Sequence, residues 1–96
     1  MKLKNILCSI ALLPVAAFAN NNSDAAKCIA LGGAMQKEGL MRAALSVADN
    51  GQAAMTLAKA ELRNAVKMKG NQLATKGLVY EWSSACREIG LNSSDY

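Results

Sequence analysis

"LGGAMQKEGLMRAAL", residues Leu31 to Leu45, decides how many helices this chain makes. Before Gly39, the residues Cys28, Leu31 and Met35 fall on one face at helical spacing. After it, Leu40, Met41, Ala44, Leu45 and Ala48 carry the apolar character. At about 100° per residue their centre lies roughly 150° around from the Cys28 stripe. Glu38 and Arg42 occupy the continuation of that first stripe. One straight helix cannot bury both sets. The reading therefore breaks the helix near Gly39, a residue suited to a helix C-terminus, and predicts two helices, at about 24–38 and 40–49.

Upstream, the chain opens MKLKNILCSIALLPVAAFA. Lys2 and Lys4 form a basic start, Ile6 to Val15 an apolar run, and Ala17-Phe18-Ala19 a small-x-small site. This is the pattern of a secretory signal peptide. From Ile6 to Ala19 the segment is too short for a spanning helix, which needs about 20 residues, and Pro14 interrupts it. Residues 1–19 are expected to be removed. Cys8 follows Leu7, where a lipidation site would want a small residue, so no lipid anchor is expected. Taking 19 from 96 residues leaves 77, expected to form one helical domain over 20–96. Loss of Lys2 and Lys4 lowers the formal charge from +4 to +2. No dense basic stripe of the nucleic-acid-binding kind is present.

Downstream of the first two helices, the composition stays rich in Ala, Leu, Met, Lys and Glu, and helix is favoured throughout. Ser23 or Asn22 is placed as the cap of the first helix, with Asp24 in its first turn. Asn50-Gly51 ends the second. A third is predicted at about 52–69, with Met55, Ala58, Leu62, Ala65 and Val66 inward. Gly70-Asn71 makes the next turn. A fourth is predicted at about 72–89, with Leu78, Val79, Trp82, Ala85, Cys86 and Ile89 inward and Gly90 at its end. Residues 90–96 read as a frayed polar tail.

Removal of the signal also removes Cys8 and leaves two cysteines, Cys28 and Cys86. An even pair in a small exported domain reads as a disulfide. Cys28 sits near the start of the first helix and Cys86 near the end of the last, each roughly 5 Å from its helix end. They meet only if those helices are antiparallel. That requires an up-down-up-down bundle of four and excludes three. The expected fold is all-α: a small bundle with a short second helix, stapled between first and last.

Chemistry is sparse. The chain has no histidine, so no Ser-His or Cys-His pair can form. Two thiols without CxxC spacing make no zinc site. Met35, Met41, Met55 and Met68 lack the close spacing of a copper(I) site and read as core. Glu81 and Glu88 lie on one helix edge, where solvation explains them better than acid–base work. Gly32-Gly33 superficially matches a double-glycine leader, but close helix contact explains it better. No cofactor or metal is expected, and the protein is read as non-enzymatic.

One surface stands out. Lys76, Tyr80, Ser83 and Arg87 fall within about 60° of each other, opposite Trp82. An exposed tyrosine among cations has the composition of a contact patch for a partner with acidic character. Lys59, Arg63 and Lys67 form a basic ridge on the third helix. In format (short, helical, one disulfide) the chain resembles periplasmic acid-stress chaperones and toxin-neutralising immunity proteins, without a shared motif. The expectation is a small exported binding protein of the periplasm, of chaperone, inhibitor or immunity type. The alternative is a secreted factor acting on other cells or membranes.

Overall fold

The structure, a computed structural model, describes the backbone from Cys8 to Tyr96 and side chains from Asn21 onward. The signal-segment reading, with its cleavage site at Ala19, lies outside the residues whose side chains are described. Among the described residues there are four helices: α1 Cys8–Ala34, α2 Glu38–Val47, α3 Gly51–Lys67 and α4 Gln72–Glu88. A short 3-10 turn, Ser93–Asp95, follows. Among the described residues there is no strand. The fold is the expected disulfide-stapled four-helix bundle.

Its centre is α1. Ala25, Ala26, Cys28, Ile29, Ala30 and Leu31 are all buried, so this part of α1 is covered almost around its whole circumference. The other three helices pack mainly against it, and touch one another little. A helix apolar on all sides is one enclosed by neighbours. Small side chains make the enclosure possible: alanines at 25, 26 and 30, and Gly32, let three helices approach. Leu40 and Ala44 enter from α2, Ala54 and Ala58 from α3, and Trp82 and Cys86 from α4.

The break after α1 falls earlier than the sequence suggests. α1 ends at Ala34, and the chain turns through Met35, Gln36 and Lys37. The Lys37 amide returns to the Gly32 carbonyl at 2.7 Å. Gln36, at φ 57°, takes the left-handed conformation that the sequence reading gave to Gly39. Gly39 lies inside α2 instead. The early turn is set by Gly32: a Cβ there would lie 2.6 Å from Met41 Cγ and 3.0 Å from the Met41 amide nitrogen. Only a bare backbone lets α2 fold back this closely. Met35, expected in the buried stripe, lies beyond the helix end and is 51% exposed.

The remaining turns follow elementary rules. α2 runs back along α1, so that its far end reaches the asparagines upstream of Ser23. Asn21 Oδ1 accepts from the Asp49 amide at 2.9 Å, and Asn22 Oδ1 from the Asn50 amide at 2.8 Å. These side chains bind the α2–α3 turn and do not cap α1, which already runs through them. Asn50 in turn caps α3 by accepting from the Ala53 amide at 3.1 Å. α3 then runs alongside α1 again, and a Cβ on Gly33 would lie 3.8 Å from Leu62 Cδ1. Gly70, at φ 93°, reverses the chain, and Asn71 caps α4 through the Ala74 amide at 3.0 Å. Both are the roles expected of a helix-terminal glycine and asparagine.

α4 returns to close the staple. Cys28 and Cys86 are disulfide-bonded, 58 residues apart in sequence, with Cα atoms 4.8 Å apart. Gly90, at φ 84°, ends the helix, and the Leu91 amide bonds back to the Cys86 carbonyl at 2.9 Å. The tail, expected to fray, is docked. Leu91 packs on the core, Lys37 Nζ donates to the Ser93 carbonyl at 2.9 Å, and the Tyr96 ring lies against Gly39.

Candidate functional site

Beside the disulfide, three helices meet in a small polar network. Trp82 is 1% exposed, and its indole Nε1 donates to Glu61 Oε1 of α3 at 2.9 Å. Burying an indole N–H without a partner is costly, so Glu61 satisfies the core's one large aromatic. Lys27 of α1 pairs with Glu81 of α4 at 2.8 Å. The Lys27 ammonium is held above the usual lysine pKa. Its hydrogen bond to Glu81 is the main cause, joined by the charges of Glu81, Glu61 and Asp24, and partial burial opposes the shift. This network is structural: its donors and acceptors satisfy one another. Glu81 faces Lys27 and does not form an acid–base pair with Glu88, which is exposed on the same helix.

Opposite Trp82 lies the outer face of α4. The structure brings Lys76, Tyr80, Ser83 and Arg87 together along it, as the helical spacing requires. Tyr80 is 70% exposed, and Lys76 and Arg87 are exposed. Arg87 folds back along its own helix, with Nη2 3.0 Å from Ser84 Oγ and Nη1 3.4 Å from Ser83 Oγ. Among the described residues the ion pairs are Lys27–Glu81 and Glu38–Arg42, so neither Lys76 nor Arg87 is neutralised.

Two further residues extend this face: Leu73, 83% exposed, and Gly77. Leu73 precedes Tyr80 by seven positions and so lies almost in line with it. Gly77 sits mid-helix, and a Cβ there would meet nothing within 4 Å. A glycine in a helix interior costs roughly 0.5–1 kcal/mol relative to alanine. No contact inside this fold requires it. The sequence signal for both was the seven-residue spacing of two large apolar residues around a glycine.

The remaining concavities carry little chemistry. A cleft of ≈ 200 Å³ between α1, α2 and α3 has Ile29, Met41, Leu45 and Met55 on its walls, with Glu38 and Arg42 at the edge. A wider one lies at the α3–α4 turn, beside Gly70, Gln72, Thr75 and Lys76. Of the four methionines weighed as soft ligands, Met41 and Met55 share the first cleft and pack against the core, while Met35 is exposed. Among the described residues no three His, Cys, Asp or Glu side chains converge as a metal site would need. No helix among them is long and apolar enough to cross a membrane. No protein family, no curated protein and no solved structure matches the chain.

Proposed function

We propose that this is a small exported protein that works by binding rather than by catalysis. Its contact surface is the outer face of α4, and its partner there is a protein with an acidic patch. The supporting observation is the exposed Tyr80, with the unpaired Arg87 beside it and the contact-free Gly77 before it. Tyrosine and arginine are the residue types that most often carry interface energy. A bare glycine between Leu73 and Tyr80 lets another backbone or ring approach the helix closely. Periplasmic residence fits the apolar leader and the disulfide. The reading covers a chaperone, an inhibitor or an immunity role.

The test is a photo-crosslinking amino acid placed at position 80, with position 56 as an exposed control on α3. The reading expects one dominant adduct, to a protein with an acidic surface, from position 80 only. Arg87→Glu should abolish it. Equal labelling from both positions, or an adduct indifferent to Arg87→Glu, contradicts the reading.

A further inference from the structure

We infer that the turn between α3 and α4, which runs into the first turns of α4's outer face at Leu73 and Lys76, docks on an anionic bilayer. Charge is not spread evenly over this chain. Between residues 50 and 80 there are five cations, Lys59, Arg63, Lys67, Lys69 and Lys76, and one acid, Glu61. That acid is engaged by Trp82. The segment is therefore +4, while the rest of the chain after Ala19 has four cations against six acids and is −2. The cations are exposed, and those nearest the turn, Arg63, Lys67, Lys69 and Lys76, flank Gly70 on both sides.

The same turn displays the two most exposed large aliphatic side chains among the described residues. Val66, which the helical spacing placed inward, is instead 71% exposed at the end of α3, and Leu73 is 83% exposed at the start of α4. Neither belongs to the core cluster. The composition sets this tip apart from the Tyr80–Arg87 end of α4. Protein interfaces are depleted in lysine, and leucine and valine are under-represented among their energetic anchors. Lysines around projecting aliphatic side chains are the composition that settles at a lipid headgroup boundary. Four to eight clustered cations are a usual requirement for anionic lipid, and each contributes about fivefold to partitioning. No described helix is long and apolar enough to span, so the contact is interfacial. The tip would hold the domain at a membrane surface, with the Tyr80–Arg87 end of α4 still open to a protein.

The experiment uses the purified exported protein and sedimentation with vesicles of equal parts phosphatidylglycerol and phosphatidylcholine. Phosphatidylcholine vesicles are the neutral arm. Binding is expected to the anionic vesicles and to weaken with salt. Lys67→Glu with Lys69→Glu should weaken it about 25-fold or more. Val66→Asn with Leu73→Asn should weaken it about tenfold or more, since it removes the apolar insertion. Arg42→Glu, on α2, should leave it unchanged. Circular dichroism should show all three variants folded, because every altered side chain is exposed. The inference is overturned if anionic vesicles are not bound, if the aliphatic pair makes no difference, or if Arg42→Glu costs as much as the lysine pair. It is also overturned if Lys67→Glu with Lys69→Glu loses the protein adduct from position 80 while keeping the vesicles, because the turn would then be part of the protein contact.

Discussion

A Cβ placed on Gly32 would stand 2.6 Å from Met41 Cγ and within 3.1 Å of backbone atoms of both Lys37 and Met41. α2 therefore packs onto α1 through a position that only glycine fills. The side chain of Met41 can swing, but the backbone of the α1–α2 turn cannot. Gly32→Ala should destabilise the domain by about 1–3 kcal/mol, the usual cost of overpacking. Gly77→Ala should do the opposite and stabilise by roughly 0.5–1 kcal/mol, because α4 has open space there. Thermal melts of the two variants check the pair. Equal signs would mean that α2 does not approach α1 at Gly32.

The staple is expected to carry much of the stability. A bridge between residues 58 apart constrains the unfolded chain by about 4 kcal/mol in the chain-entropy account. The core it supports is built largely of alanines. Denaturant unfolding with and without reductant measures this directly. Reduced protein should unfold at markedly lower denaturant. An unchanged midpoint, or free thiols in the oxidised protein, would contradict the bridge.

Trp82 and Glu61 should behave as a unit. Trp82→Ala removes a fully buried aromatic and should cost about 3–5 kcal/mol. Glu61→Ala leaves the indole N–H buried without an acceptor and should cost about 1–3 kcal/mol. In the double mutant the second loss largely disappears, since no indole remains to satisfy. Additive losses across that cycle would show that the 2.9 Å contact contributes nothing.

Lys27 gives a pH dependence with a definite sign. Its pKa is raised in the folded protein, chiefly by Glu81. The contribution is complete below the unfolded lysine value of about 10.4 and is lost as pH rises through the folded value. The pair is partly exposed, so the effect is modest, about 0–1 kcal/mol. The gap in stability between the wild type and Lys27→Met should hold near neutral pH and close as pH rises through the raised folded value of Lys27. A gap that persists in strong alkali would assign it to packing.

Much of this architecture is legible in the sequence, for physical reasons tied to particular residues. The rotated stripe at Leu40 and Ala44 reports a separate second helix, and the pair Cys28 and Cys86 reports that the first and last helices meet; the depth assigned to Cys28 does not hold, because α1 begins at Cys8 and not near residue 24. The site of the first break is not legible in the same way. Gly39 looks like the natural terminator, but the steric demand that sets the turn lies at Gly32, and it exists only once Met41 is opposite. The central place of α1 was written in "AAKCIALGG", which apart from Lys27 is apolar or glycine on every side. Reading only its Cys28–Leu31–Met35 face hid that. The tail looks polar and loose because its anchors are remote: Lys37 lies 56 residues from Ser93, and no local pattern reports the contact. On α4 the exposed face carrying Lys76, Tyr80 and Arg87 is legible from spacing alone. The openness around Gly77 is not.

The most direct test of the account is the double variant Tyr80→Ala, Arg87→Ala, assayed for both stability and partner retention. Both side chains are exposed, so the melting midpoint should match the wild type, with a change in stability of about 0.5 kcal/mol or less. The acidic partner identified by crosslinking at position 80 should no longer co-purify. A variant that melts normally and still holds that partner would contradict the assignment of α4's outer face as the binding surface.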